Sequence, residues 1–472
     1  VYNPSWFVPN KSPDVSPPDS ELMLEYIHGY SGETGRQDRP SWSTNVMWLR
    51  TGELVFPASA VVILHDFERN RQRFFMGHDE DVMAIAVYAH KDIVASGQAG
   101  GEAVVCVFDA SLSLPGAHDS EEQAASKSSI VEPEFICELL VGSKESKGVA
   151  ALDFSSDGKL LLAMAAGDDH ALSVWDWRRG SRLAVHKAQS VHQGSYLIRF
   201  NPYLHLTGQR ATKVGLGPGE ACYTMVSCGC KHVKFWTLTC TQTLPEMGGL
   251  EDSAGEGGGG SANRKNECWA WVLEGKPGSF GRRAVVEDMV CMTFISGLHG
   301  VRAVTGGQDL LPLSRTVTGG QNGQIYFWET PEEESGIGWI PYGRLLAVVP
   351  RAHEGPVTDM CFLPVPMGRE RSRGGKGGEI ERETGTGGGS AFLGQLATCG
   401  GEGTLRLWRV TTKGPAPLER LSSVDISSRG AGVGHPRSVC WDRSGTTLAL
   451  GTVGNAVCLV QPGEVSRPSF MD

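Results

Sequence analysis

The stretch that decides the reading starts at His353 and runs through Val357-Thr358-Asp359-Met360. It resumes at Leu396-Ala397-Thr398-Cys399-Gly400-Gly401-Glu402-Gly403 and ends at Leu405-Arg406-Leu407-Trp408. It holds a short apolar strand, a tight turn of glycines and an acid, and an alternating strand closed by an aromatic residue. The phrase returns as Thr316-Val317-Thr318-Gly319-Gly320-Gln321-Asn322-Gly323 with Ile325-Tyr326-Phe327-Trp328. A third version is Leu162-Ala163-Met164-Ala165-Ala166-Gly167-Asp168-Asp169 with Leu172-Ser173-Val174-Trp175-Asp176. Such a unit cannot bury its apolar face alone, so copies must pack on one another, which is the logic of a repeat fold.

Working outward, six copies are legible. The first joins Gly77-His78 to Ile93-Val94-Ala95-Ser96-Gly97 and Val104 to Asp109, and the last joins Ser438-Val439-Cys440-Trp441 to Ala456 to Val460. The terminal aromatics Phe108, Trp175, Trp236, Trp328 and Trp408 stand 67, 61, 92 and 80 residues apart. The uneven excess falls in loop-like stretches at 111–133, 242–266, 297–314 and 366–391, and insertions of this kind leave the sheets intact. Six residues before the aromatics sit Glu102, Asp169, Cys230, Asn322 and Glu402, the chemistry that tight Asx-type turns favour.

This phrase resembles the WD40 repeat. The resemblance implies an all-β fold, a β-propeller, and a binding platform in place of an enzyme. In WD40 blades a His, a Ser or Thr, the strand-end Trp and the turn acid form a buried hydrogen-bond network. His353, Thr398, Trp408 and Glu402 match that set fully. Other copies match in part: His78 and Ser96 with Phe108 in the Trp position, Asp169 and Trp175 with Ala165 in place of the hydroxyl, and Thr318 with Trp328.

Before the repeats lies a distinct block over 22–76. It reads Leu24-Glu25-Tyr26-Ile27-His28-Gly29-Tyr30-Ser31-Gly32, then Asn45 to Leu49, Thr51-Gly52-Glu53-Leu54-Val55-Phe56-Pro57-Ala58, Val61-Val62-Ile63-Leu64 and Gln72-Arg73-Phe74-Phe75-Met76. It runs on into Gly77-His78-Asp79-Glu80-Asp81-Val82. Aromatic and β-branched runs turned by glycine predict strands feeding directly into the first repeat. Tyr26, Tyr30, Trp48 and Phe56 are expected to pack this block onto the propeller, with an exposed docking surface as the alternative. The order of phrases resembles the HELP motif of echinoderm microtubule-associated protein-like (EMAP-like) proteins. That resemblance implies seven blades closed by strands from both ends of the array, and binding of tubulin or microtubules, including those of cilia. It also implies that the family's second propeller and its coiled-coil N-terminal region lie outside these residues, so this chain is expected to be a monomer. The expected division is an extended arm over 1–21, the HELP-like block over 22–76, one propeller over 77–461 and a tail over 462–472.

Composition narrows the alternatives. With 20% charged and 40% apolar residues the 472-residue chain has the balance of a folded protein, and a net charge of −10 disfavours bulk attraction to nucleic acid or an acidic membrane. Cys106, Cys291, Cys361, Cys399 and Cys458 lie in apolar runs where a free thiol acts as a small hydrophobe, and Cys228-Gly229-Cys230 lacks the partners of a zinc site. Asp168-Asp169-His170 falls on a turn, the glycine runs at 257–260 and 385–389 lack a phosphate-loop Lys-Ser/Thr, and no nucleophile elbow is present. No catalytic residue, cofactor or metal is therefore expected, and the chain reads as cytoplasmic. Arg369, Arg371, Arg373 and Lys376 cluster in one loop beside Glu370, Glu379, Glu381 and Glu383, which reads as a solvated loop, with contact to an acidic partner as the alternative. The rival functions are a general WD40 scaffold for a non-tubulin complex and a propeller enzyme. The enzyme would require acids or histidines converging from several blades.

Overall fold

Alternating apolar residues between glycine-rich turns fold here into hairpins, and four successive strands make each of seven antiparallel sheets. The computed structural model describes residues 23–32, 44–88, 90–101, 103–111, 132–142, 146–167, 171–187, 194–206, 220–243, 268–282, 284–295, 315–329, 343–364, 392–411, 418–429, 433–462 and 469–470. The stretches 111–133, 242–266, 297–314 and 366–391 therefore lie almost wholly outside the described residues.

Blade 1 consists of β1 (Met47–Trp48), β2 (Leu54–Ala58), β3 (Val61–Asp66) and β4 (Arg71–Phe75). Blade 2 follows with β5 (Val82–Tyr88), β6 (Ile93–Gln98), β7 (Val104–Asp109) and β8 (Glu134–Leu140). Blade 3 holds β9 (Gly148–Phe154), β10 (Leu161–Ala166), β11 (Ala171–Asp176) and β12 (Ser181–Lys187). Blade 4 has β13 (Ser195–Leu206), β14 (Ala221–Gly229), β15 (His232–Thr243) and β16 (Cys268–Pro277). In blade 5 the strands are β17 (Met289–Ile295), β18 (Arg315–Gly320), β19 (Ile325–Glu329) and β20 (Arg344–Val349). Blade 6 uses β21 (Val357–Pro364), β22 (Phe392–Gly400), β23 (Thr404–Thr411) and β24 (Leu418–Asp425). Blade 7 closes the series with β25 (Pro436–Trp441), β26 (Leu448–Thr452), β27 (Val457–Val460) and β28 (Ser469–Phe470).

The first strands of neighbouring blades pack side by side, and β1 touches both β25 and β5, so the seven sheets form a closed β-propeller. The core lies between blades. One cluster joins Phe235, Trp236 and Met225 of blade 4 to Tyr326 and Trp328 of blade 5, and another joins Leu405 and Leu407 of blade 6 to Leu448 and Leu450 of blade 7. Burying each such side chain stabilises the ring by about 1.5–3 kcal/mol. A bulge recurs at the aromatic strand end, between Val107 and Phe108, Val174 and Trp175, Phe327 and Trp328, and Leu407 and Trp408. One extra residue there bends the strand and re-aims the aromatic side chain. Blade 4 lacks that bulge at Trp236.

The opening block contributes strands as expected, and with β1–β4 it makes up a complete blade. The expectation about closure needs correction: among the described residues no sheet mixes strands from the two ends, and Ser469–Phe470, expected to be tail, pairs with β27 inside blade 7. Closure comes instead from residues 23–32 and 44–46. Ile27 exchanges hydrogen bonds with the Gln72 amide (2.8 and 3.2 Å), Gly32 N donates to Asn455 of blade 7 (3.0 Å), and Arg437 of blade 7 donates back to Gly32 O (2.7 Å). At an ordinary interface, between blades 5 and 6, a Cβ on Gly319 would meet Val357 at 2.7 Å. At the seam Gly451 faces Tyr30 and Val46 in the same way, with a Cβ only 2.2 Å from the Tyr30 oxygen. Tyr30 and Phe56 are buried and meet edge-on at 6.1 Å, whereas Tyr26 and Trp48 are half-buried.

Candidate functional site: the blade networks and the central axis

Blade 6 assembles its four marked residues into one relay. Trp408 Nε1 donates to Thr398 Oγ1 (2.8 Å), Thr398 Oγ1 lies 2.8 Å from His353 Nε2, and His353 Nδ1 lies 2.6 Å from Glu402 Oε1. Because a carboxylate only accepts, Nδ1 carries the proton, and Nε2 then accepts from the threonine hydroxyl. A neutral ring suits this chain of bonds. Burial holds the His353 pKa below the ordinary histidine value despite Glu402. Burial pushes Glu402 up, but hydrogen bonds from Thr404 and His353 outweigh it and hold that carboxyl below its usual range.

The other blades vary this theme. In blade 2, His78 sits between Ser96 Oγ (2.7 Å) and Gln98 Oε1 (2.8 Å), and Gln98 donates onward to Asp79 (2.6 Å). Phe108 needs no donor partner and stacks on Phe75 of blade 1 at 4.0 Å. In blade 3 the Trp175 indole bonds to Ser173 two residues away (2.8 Å), a hydroxyl that supplies what Ala165 lacks. Asp169 lies outside the described residues. In blade 4 Trp236 bonds to Ser227 (2.9 Å), and His232 reaches Ser195 (3.1 Å). In blade 5 Trp328 bonds to Thr318 (2.9 Å), while buried Glu287 accepts from Asn322 N (2.8 Å) and from the Tyr326 hydroxyl. Ser173, Gln98 and Glu287 were missed in sequence because they sit off the spacing that marks blade 6. Glu287 precedes its blade's first strand, where blade 6 places His353, and that position was the available signal.

At the axis, charged groups from several blades converge. Arg199 of β13 donates to Thr44 Oγ1 (2.5 Å), and Thr44 donates to the Asp359 carboxylate of β21 (3.2 Å). Asp359 also accepts from Val439 N of blade 7 (2.8 Å), and Asp153 of β9 accepts from Phe200 N of blade 4 (2.7 Å). Burial raises both carboxyls to about 6, with Arg199 pulling them back down. The axis is thus not lined by apolar and amide groups alone. Acids do converge, and their described bonds tie blade 3 to blade 4, blade 6 to blade 7, and the segment before β1 to both sides of the ring.

Against known proteins, the family described as WD domain, G-beta repeat matches residues 137–176. That span begins on the outer strand of blade 2 and ends on the third strand of blade 3, so the sequence repeat is offset from the blade. Three curated relatives align over 73% of the chain. They are echinoderm microtubule-associated protein-like 2 of Mus musculus (25% identical, 39% of its length), protein-like 1 of Rattus norvegicus (25%, 31%) and protein-like 4 of Mus musculus (26%, 27%). The chain is thus similar to EMAP-like WD40 proteins. The aligned part of each relative is about two-fifths of its length or less. Solved structures include the RRP9 WD40 repeats (TM-score 0.48, 14% identical, 92% of this chain and 98% of that one) and a chain of the mitotic checkpoint complex (0.48, 11%, 95% and 96%). The propeller assignment rests on the strand order itself.

WD40 propellers and EMAP-like proteins are typically non-catalytic scaffolds. In this chain the strand-end tryptophans Trp175, Trp236, Trp328 and Trp408 are buried, which removes them as stacking platforms for nucleobases. Cys106, Cys291, Cys399 and Cys458 are buried free thiols whose pKa values burial pushes up, and Cys361 is half-buried. Among the described residues no group of three or more His, Cys, Asp or Glu could hold a metal, and no helix is long and apolar enough to cross a membrane. Arg369, Arg371, Arg373 and Lys376 lie outside the described residues, as do Asp168 and His170.

Proposed function

We propose that this chain is a non-catalytic microtubule-associated protein whose propeller binds tubulin or microtubules, as a monomer, in the cytoplasm and at the ciliary axoneme. The observation that carries the reading is the alignment over 73% of the chain with proteins named as microtubule-associated, together with the HELP-like block forming blade 1 and its clasp. On this reading the His353–Thr398–Trp408–Glu402 network is architectural, the loop bearing Arg369, Arg371, Arg373 and Lys376 is solvated, and the chain needs neither cofactor nor metal, nucleic acid nor membrane. A rigid disk of this kind binds through many modest contacts spread over its faces. The test is co-sedimentation with stabilised microtubules across a salt series, beside a pull-down of soluble tubulin. Pelleting that weakens as salt rises is expected, since exposed charge contacts are screened. Binding to neither form at low salt overturns the proposal.

A general scaffold for a non-tubulin complex is favoured by one observation. The outer strand of blade 2 exposes Phe135, Ile136 and Leu140, an apolar edge suited to another protein. A chain that misses tubulin yet captures a protein through this edge, and loses it on Phe135→Ser, would establish that reading.

A further inference from the structure

The outer strand of blade 3 has a chemistry unlike the rest of this acidic chain. Residues 178–187 read Arg-Arg-Gly-Ser-Arg-Leu-Ala-Val-His-Lys, three arginines, a lysine and a histidine without one acid. Other outer strands are mixed or sparse in charge: β8 carries Glu134 and Glu138, β16 sets Glu274 against Lys276, β24 sets Glu419 and Asp425 against Arg420, and β20 has Arg344 alone. On β4, Arg71 is exposed but stands alone, since Arg73 is buried against Glu53. The edge of blade 3 is therefore the place where an anionic partner meets the least repulsion.

Two of these cations are held in position over indole faces. The Arg178 guanidinium lies 4.1 Å over the Trp177 ring while its Nη1 donates to Gly158 O (2.7 Å), and the Arg182 guanidinium lies 5.9 Å over Trp175. On the adjoining blade Lys234 sits 4.0 Å over Trp236, whose ring also meets His186 edge-on at 5.1 Å. An indole face orients a cation but leaves its charge for a ligand, and a pre-ordered row loses less entropy when it binds. Arg179 differs, lying 3.6 Å from Asp176. In its sheet, among the described residues, β12 pairs with β11 alone and is the terminal strand, lying close to β16 of blade 4. Val185, 54% exposed, adds an apolar contact to the same strand.

We infer that this edge docks an extended acidic segment of the partner, laid beside β12 as a further strand. Backbone pairing supplies the register, and Arg178, Arg182 and Lys187 supply charge-assisted bonds to carboxylates. The tubulin identity of that partner rests on the function proposed above; the preference for an acidic strand does not.

The test is fluorescence anisotropy with the full chain and a labelled ten-residue oligoglutamate, beside an oligoglutamine of equal length. Oligoglutamate should bind and weaken with added salt, and oligoglutamine should not. Arg182→Glu with Lys187→Glu should cost about tenfold or more in affinity, each reversal removing an attraction and adding a repulsion. Arg182→Gln with Lys187→Gln should give an intermediate loss and guards against misfolding of the reversed pair. Oligoglutamate that fails to bind at low salt, or binds both folded variants as it binds the parent chain, overturns the inference. Tubulin pull-downs with the same proteins separate the two claims. Tubulin bound equally by parent and reversed chain sinks the edge and leaves the tubulin reading. Oligoglutamate binding that discriminates the variants while tubulin binds none of them keeps the edge and sinks the tubulin reading.

Discussion

Blades 1 and 6 are both four-stranded antiparallel sheets, yet they are pinned by unrelated means. Blade 6 is fixed from within by a relay of hydrogen bonds running from Trp408 through Thr398 and a neutral His353 to Glu402, whose carboxylate also lies 3.6 Å from Arg406. Blade 1 is fixed by an ion pair and by a clasp. The Arg73 guanidinium forks onto both Glu53 oxygens (2.8 and 2.5 Å) and donates to Ala110 O of the next blade (2.7 Å). Gln72 meanwhile grips Ile27 from the segment ahead of the blade. The difference teaches that the propeller needs each sheet's turns and edges held, and that the chemistry of the holding is interchangeable. It also shows where each device is vulnerable.

The sharpest break falls on blade 1. Arg73→Met leaves Glu53 buried without its cation, and a loss of about 3–5 kcal/mol in urea unfolding is expected. Arg73→Met with Glu53→Gln removes both charges, and its loss should be clearly smaller than that of the single substitution. A double variant as unstable as Arg73→Met would mean that the pair contributes packing and not charge.

In blade 6, Thr398→Val keeps the shape but strips the shared hydroxyl from His353 and Trp408. Two buried polar atoms lose their partner, for an expected loss of about 1–3 kcal/mol. Equal losses from Arg73→Met and Thr398→Val would erase the distinction between the ion-pair clasp and the hydroxyl relay.

The smallest effect is a titration, and within blade 6 it has two signs. Burial lowers the His353 pKa, so the unfolded chain binds that proton more readily; the stabilising contribution is full above the ordinary histidine value and is lost as pH falls. Burial raises Asp359 to about 6, so the folded chain binds that proton more readily; its contribution is full below the ordinary aspartate value and is lost as pH rises through 6. The two oppose each other between pH 4 and 6.5, so the net dependence is shallower than either alone. Asp359→Asn should remove the second component and make the protein lose stability more steeply on acidification, read from unfolding midpoints at pH 7 and pH 5. Parallel profiles for the two proteins would contradict the assignment.

Much of this ring could be read from local spacing. The glycine turns, the strand-end aromatics and the set His353, Thr398, Glu402 and Trp408 are close-range patterns, and the structure joins those four residues by hydrogen bonds. Substitutions that keep the geometry but move the atom were not visible, such as Ser173 serving Trp175 from its own strand or Glu287 reaching the blade 5 turn from two residues closer to its first strand than His353 stands in blade 6. The axis was hidden for a different reason. Thr44, Asp153, Arg199 and Asp359 belong to four distant segments, and only closure of the ring brings them together. The block over 22–76 was read correctly as strands but given too small a part. Its β1 is two residues long, too short for periodicity to separate a full blade from a packing motif.

That each blade is cut from one continuous stretch bears on how the molecule is made. Among the described residues each four-stranded ladder stays within its own blade, with only single bridges such as Ala99–Gly148 and Ser279–Arg344 crossing between blades. Every sheet can therefore zip up from contacts local in the chain, at little loop-closure entropy and in the order of synthesis. The exception is the seam, where Gly32 must find Asn455 and Tyr30 must find Gly451 across nearly the whole chain. An emerging chain would carry its clasp open until blade 7 appeared, leaving the apolar flank of blade 1 bare for the longest time. That flank, with Tyr30, Phe56 and Ile63, is the surface a chaperone would meet first and the one through which two unfinished rings would most readily exchange blades.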